Sequence, residues 1–181
     1  MGVCMSSTRL RGYAAPPMSE RPLWAPWRIE YITRPRKEGC IFCAIAAGED
    51  QQELLVERGD RCFTVLNAFP YASGHVMAAP YRHVAGLEEL DDDELLGLMH
   101  LTRRAMRALR DAMSPDGFNA GLNLGVEAGA GVADHLHMHV VPRWQGDTNF
   151  MPVLADTRVL PQALAATREA LVAALGRLAE S

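Results

Sequence analysis

Three histidines alternate with apolar residues in His135-Leu136-His137-Met138-His139-Val140-Val141. An extended chain repeats every two residues. A strand here therefore turns all three imidazoles to one side and Leu136, Met138 and Val140 to the other. Imidazoles titrate near neutral pH, and their ring nitrogens can attack, donate or bind metal. Burying several on one strand is costly unless hydrogen bonds, a metal or a reaction uses them. The segment reads as a metal cluster or a catalytic set rather than a polar strand face. A neutral imidazole can attack phosphorus and carry a transient nucleotidyl group. A second, protonated one can stabilise the developing charge or donate to the leaving oxygen. His137 and His139 have the spacing for these two roles.

Two neighbouring motifs extend that chemistry. Upstream lies Asn123-Leu124-Gly125-Val126-Glu127-Ala128-Gly129-Ala130-Gly131. Such a loop is either a plain turn or a nest of backbone N–H groups for a phosphate, and it ends close to His135. Cys40-Ile41-Phe42-Cys43 is a C-x-x-C pair, which with two distant histidines can make a tetrahedral Cys2His2 zinc site. His83 and His135 are the candidate partners, and a closed site of this kind is structural. Redox chemistry and unliganded thiols are the alternatives. Redox chemistry needs a strand before the motif, where Arg36-Lys37-Glu38-Gly39 reads as a turn. Cys62 reads as a small buried hydrophobe.

The elements that must hold these residues follow from periodicity. Residues 54–57 and 62–66 read as strands joined by the turn Arg58-Gly59-Asp60-Arg61, and 75–79 as a third strand. Residues 88–113 repeat apolar positions at helical spacing, with Leu95, Leu98, Met99, Thr102, Ala105, Met106, Leu109 and Met113 on one face. Asp91 and Glu94 form a capping-box pattern, and Ser114-Pro115-Asp116-Gly117 stops the helix. His100 falls on its polar side. Residues 118–124 read as a strand, 136–141 as the histidine strand ending at Pro142, and 162–180 as a final helix. The order predicts an α+β domain with a largely antiparallel sheet.

Composition bounds the rest. Residues 1–22 lack periodicity and read as a disordered extension; residues 23–181 read as one domain. Met18 is an alternative start. Leu23-Trp24-Ala25-Pro26-Trp27-Arg28 reads as an ordered surface arm. The net charge of −4 gives no pull toward nucleic acid or an anionic membrane. No apolar run is long enough for a membrane helix, and cysteine usage with no signal pattern points to a reducing cytoplasm. No organic cofactor is called for.

The triplet resembles the His-φ-His-φ-His-φ-φ signature of the histidine triad (HIT) family, φ being hydrophobic. Asn67-Ala68-Phe69-Pro70-Tyr71-Ala72-Ser73-Gly74-His75-Val76 is similar to that family's nucleoside-binding strand pair. Val141-Pro142-Arg143-Trp144 and Asn149-Phe150-Met151-Pro152-Val153 resemble a bacterial branch similar to diadenosine tetraphosphate (Ap4A) phosphorylases. The resemblance implies a five-stranded antiparallel sheet with one long and one C-terminal helix, in a homodimer. It implies that His137 is the nucleophile, that His139 contacts the scissile phosphate, and that His135 bonds within the triad or binds zinc. It places Asn123 near the α-phosphate and Asn67 and His75 on the nucleoside pocket. Cys40, Cys43, His83 and His135 match the zinc set of those members that carry one.

One departure from the family stands out. Ala130-Gly131-Val132-Ala133 offers only backbone donors where the family often has Ser, Thr or Gln. Gly129, Gly131 and Arg143 are the candidate phosphate contacts, and Trp144 either stacks on a base or packs. The function expected is cleavage of dinucleoside polyphosphates through a nucleotidyl-histidine, with inorganic phosphate or water as acceptor. A phosphoramidase or adenylyl-sulfate hydrolase, a zinc-stabilised nucleotide-binding module, and a three-histidine metal catalyst are the alternatives.

Overall fold

The computed structural model describes residues 39–147 and 162–180. The expectations for residues 1–22, the arm with Trp24, and residues 149–153 lie outside them. Helix α1 is Ile41–Ala47, and a 3-10 turn at Gln52–Leu54 leads into strand β1, Leu55–Arg58. Strands β2, Cys62–Leu66, and β3, Val76–Pro80, follow, and then helix α2, Asp92–Met113. Strands β4, Gly117–Leu122, and β5, Met138–Arg143, precede helix α3, Leu164–Glu180. The five strands form one sheet in the order β1-β2-β3-β5-β4, with every neighbouring pair antiparallel.

Alternation sorts the sheet's two faces. Cys62, Leu66, Val76, Ala78 and Val140 point to the face covered by α2 and α3, against Leu98, Leu101, Leu109 and Leu171. Burial of each large side chain stabilises the fold by about 2 kcal/mol. Phe63, Val65 and Ala79 point to the opposite face, where α1 packs through Phe42 and Ile45. His139 lies opposite Met77. It therefore belongs to this second face, which α1 covers.

The capping box at the start of α2 forms as its residues predict. Asp91 Oδ1 accepts from the Glu94 N–H at 2.8 Å, and Glu94 Oε2 accepts from the Asp91 N–H at 3.0 Å. His100 is exposed and Cys62 is fully buried. Met99, expected on the apolar face, is 53% exposed, because the packed stripe runs through Leu98, Leu101, Thr102 and Ala105 instead.

Three elements differ from expectation. Helix α1 was not anticipated. Phe42 and Ile45, one turn apart, bury its inner face, and Gly48 closes it at φ +83°, a left-handed cap that glycine adopts without strain. The histidine strand starts later and runs through Pro142, so His135 and His137 precede the paired segment. Pro142 is tolerated because β3 pairs with β5 only through Val140, Met138 and His139. The proline thus lies where β5 has a partner on one side only. Residues 123 and 124 have left β4 for the loop.

Candidate active site

The three histidines divide between two clusters. His135 Nδ1 lies 3.2 Å from Cys40 Sγ and 3.5 Å from Cys43 Sγ, and His83 Nδ1 lies 3.3 Å from Cys43 Sγ. The ligand atoms of all four residues fall within 4.8 Å of one another. His135 Nε2 donates to the Pro80 carbonyl at 3.0 Å. The proton is thereby fixed on Nε2, and the Nδ1 lone pair is aimed at the thiols, the outer contact typical of a metal-binding imidazole. His83 Nε2 has the Asp134 carboxylate at 3.8 Å. Burial and the neighbouring Cys40 push the Cys43 thiol up to about 11. Two thiols and two oriented imidazoles fit a tetrahedral zinc ion, whose charge would stabilise the thiolates. Both ring nitrogens of His135 are engaged here. Of the two roles expected of His135, a bond within the triad or a place in the zinc set, its contacts with Cys40, Cys43 and the Pro80 carbonyl follow the second.

The loop carrying His83 is anchored from below. Arg82 donates to both carboxylate oxygens of Glu94, through Nε at 2.9 Å and Nη2 at 2.6 Å. That guanidinium holds the largely buried Glu94 carboxyl down at about 2, with help from the Asp91 N–H.

His137 Nδ1 donates to the His135 carbonyl at 2.8 Å. A nitrogen facing a carbonyl must carry the proton, so Nε2 keeps its lone pair unprotonated. Phe42 stacks at 4.8 Å from the His137 ring, and His139 meets it edge-on at 4.8 Å. Burial lowers the pKa of His137 and keeps it neutral. The paired register ends at Leu122↔Met138, and Asn123 and His137 are the next residues beyond it on the two segments.

A proton chain stands behind His139. The Tyr71 N–H donates to His75 Nδ1 at 3.2 Å, and Asn67 Nδ2 approaches the same atom at 3.4 Å. The Asn67 amide is oriented by the Phe69 N–H, which donates to its Oδ1 at 2.9 Å. His75 Nδ1 is therefore the acceptor, and its proton sits on Nε2, 3.0 Å from His139 Nδ1. His139 must accept there, so it carries its own proton on Nε2 as a donor. Burial, reinforced by the other imidazoles, pulls His75 down to about 3 and His139 to about 4. His75 is positioned by Gly74 at φ +81°, where a Cβ would come within 2.8 Å of both Leu109 and Met113.

His137 lines a cavity of about 580 Å³ with Phe42, Ile45, Val65, Asn67 and Gly131. Its walls are largely apolar, and among the described residues neither arginine nor lysine lines it. Several expected contacts lie elsewhere. His75 is fully buried behind His139, away from the cavity wall. The Gly129 N–H closes a turn onto the Val126 carbonyl at 2.9 Å and does not face a ligand. Arg143 is held by Asp147, at 2.5 and 2.8 Å, and by Asn119 Oδ1 at 2.9 Å, at the far end of β5. Trp144 Nε1 donates to the Met113 carbonyl at 3.3 Å, so the indole packs against the end of α2. Neither Arg143 nor Trp144 lines the cavity. Phe42 and Tyr71 enter the site without having been singled out. Phe42 lies inside the C-x-x-C motif, and helical spacing to Ile45 was its available signal.

Known proteins resemble the chain in sequence and in fold. A family model of the HIT domain matches residues 48–146. A Mycobacterium tuberculosis protein named AP-4-A phosphorylase is 42% identical over 158 residues, spanning 82% of this chain and 81% of that protein. Protein hit of Bacillus subtilis is 34% identical over 111 residues, spanning 61% of this chain and 75% of that protein. The crystal structure of a zinc-bound histidine triad family protein from Mycobacterium smegmatis superposes with a TM-score of 0.66 at 26% identity, covering 78% of this chain and 96% of that one. The domain match, the relatives and the sheet that carries the imidazoles agree: the chain belongs to the histidine triad (HIT) family.

Proposed function

We propose that the protein transfers a nucleotidyl group from a dinucleoside polyphosphate such as Ap4A. His137 Nε2 forms a bond to the α-phosphorus while the bond from that phosphorus to the bridging oxygen breaks, and the polyphosphate leaves with that electron pair. The His139 Nε2–H donates a hydrogen bond to the leaving oxygen or a non-bridging one, keeping its proton while it offsets the developing charge. His75 holds His139 in the donating tautomer. Among the described residues the cavity wall carries imidazole and backbone N–H groups as its sources of charge compensation. Inorganic phosphate then attacks the nucleotidyl-histidine, the N–P bond breaks, and Ap4A yields ADP and ATP.

The observation that carries this reading is the His137 ring. Its proton is fixed on Nδ1 by a carbonyl, and it lines the cavity with Asn67 beside it. Similarity to a protein named as a phosphorylase supports phosphate as the acceptor. Cys40, Cys43, His83 and His135 would hold zinc in a closed site, which ties α1 to the sheet and supplies no open position for catalysis. Strand β4 lies at one end of the sheet, and a second copy pairing there would make the homodimer. The test is Ap4A turnover with and without phosphate, with products separated. ADP plus ATP that depend on phosphate and vanish in His137→Ala support the reading. Phosphate-independent AMP release makes water the acceptor, and turnover retained in His137→Ala rejects the covalent route.

A further inference from the structure

The cavity has two ends of different chemistry. One is His137, just before β5. The other is made by Gln51 and Glu53, in the turn before β1. Strands β2 and β3 lie between β1 and β5, so the ends stand about 14 Å apart at the usual strand spacing. That length accepts a nucleotide lying across the sheet, with its α-phosphorus at His137. Phe42, Ile45, Val65 and Met77 give the cavity apolar walls, and Gln51 and Glu53 give it polar groups.

Gln51 is held there at a cost. Its φ is +45°, and Ser114 is the only other described non-glycine residue with positive φ. Ser114 caps α2, whereas Gln51 lines the cavity. The strained backbone is fixed on both sides. The Gln51 N–H donates to Asp50 Oδ1 at 3.0 Å, and its carbonyl accepts from the Leu54 N–H at 2.9 Å. Next to it, the Gln52 side chain donates to the Ile45 carbonyl at 2.8 Å and ties the turn to α1. Backbone strain that the surroundings over-determine is a mark of positions kept for function.

Resting on the nucleotide reading above, we propose that Gln51 and Glu53 read the edge of the base and select adenine. The Gln51 amide offers one acceptor and two donor protons, which match the N6 amine and N1 of adenine. An amide can turn over to suit hypoxanthine as well, so Gln51 contributes affinity without discriminating. Glu53 breaks the tie. A carboxylate only accepts, so it favours an amine at C6 and opposes an oxo group there.

The experiment is titration calorimetry of the full chain with AMP, IMP and GMP. The wild type is expected to bind AMP at least tenfold more tightly than IMP, because the carboxylate accepts from the C6 amine and is repelled by a C6 oxygen. Glu53→Gln, an exposed and conservative change, should bring that ratio to within about threefold by tightening IMP. Gln51→Ala should weaken AMP and IMP alike, by about tenfold. Equal affinity of the wild type for AMP and IMP, tighter binding of GMP, or an unchanged ratio in Glu53→Gln would overturn the assignment. Discrimination without Ap4A turnover would reject the transfer reaction and keep base selection. Turnover of Ap4A without discrimination would reject base selection alone, and no AMP binding at all would reject both.

Discussion

His75 Nε2 lies 3.0 Å from His139 Nδ1, and the Tyr71 N–H on the other side of the His75 ring decides which of the two donates. His75 does not line the cavity, yet it sets the tautomer of His139, whose ring meets the cavity-lining His137 edge-on at 4.8 Å. His75→Asn should leave KM for Ap4A within about threefold and lower kcat about 100-fold, since the oriented hydrogen bond to the transition state is lost while binding is kept. Steady-state kinetics measures the split. A rise in KM with kcat unchanged would place His75 on the binding surface instead.

The same pair makes folding sensitive to acid. His75 is held at about 3 and His139 at about 4 by burial, against about 6.5 in an unfolded chain. The unfolded state therefore binds more protons below pH 6.5, and stability falls as the pH drops from there toward 3. Above 6.5 both states hold neutral imidazoles, and this contribution is flat. The loss should reach a few kcal/mol by pH 4. Urea midpoints at pH 7.0, 5.5 and 4.5 give the slope, and His75→Asn should reduce it. A midpoint that rises on acidification would contradict the buried-neutral assignment.

Removing metal should weaken one corner of the fold. Cys40 and Cys43 flank Phe42, which packs on His135 at 5.1 Å and on His137 at 4.8 Å. A chelator should therefore lower Tm and loosen the nucleophile's packing together. Cys43→Ser should abolish zinc retention in metal analysis and reproduce the Tm loss without added chelator. Retention of a full equivalent of zinc by the variant would remove Cys43 from the ligand set.

Much of this was legible in the residues. The capping pair Asp91 and Glu94, the α2 stripe, the hairpins and the pairing of C-x-x-C with His83 and His135 rest on local rules that the fold obeys. The separation of roles within the triplet was legible only through the pairing of His135 with the C-x-x-C, not from the strand pattern. Alternation puts His135, His137 and His139 on one side, but strand pairing begins only at Met138, and the ring of His135 joins the thiols contributed by a helix the sequence left unread. Arg143 was read as a phosphate contact from its charge. Asp147, four residues on, takes that charge instead. A basic side chain's target depends on its nearest carboxylate, and periodicity does not carry that information. His75 was placed on the pocket by the family resemblance, and its depth behind His139 was invisible in the sequence.

Gly121 gives the sharpest separation of function from fold. It pairs directly with His139 across β4 and β5, so any side chain there projects onto the face that carries the imidazoles. It is exposed, its φ is not positive, and an added Cβ meets nothing within 4 Å. Backbone geometry therefore does not require glycine, and glycine inside a strand costs about 0.5–1 kcal/mol relative to alanine. What the position supplies is open space above His139, where a polyphosphate must pass. Gly121→Val should keep Tm equal or raise it by a degree or two while lowering kcat/KM for Ap4A about tenfold or more, mostly through KM. Thermal unfolding and kinetics on the same preparation decide it. A valine variant with undiminished kcat/KM would mean that substrate approaches His139 from another side.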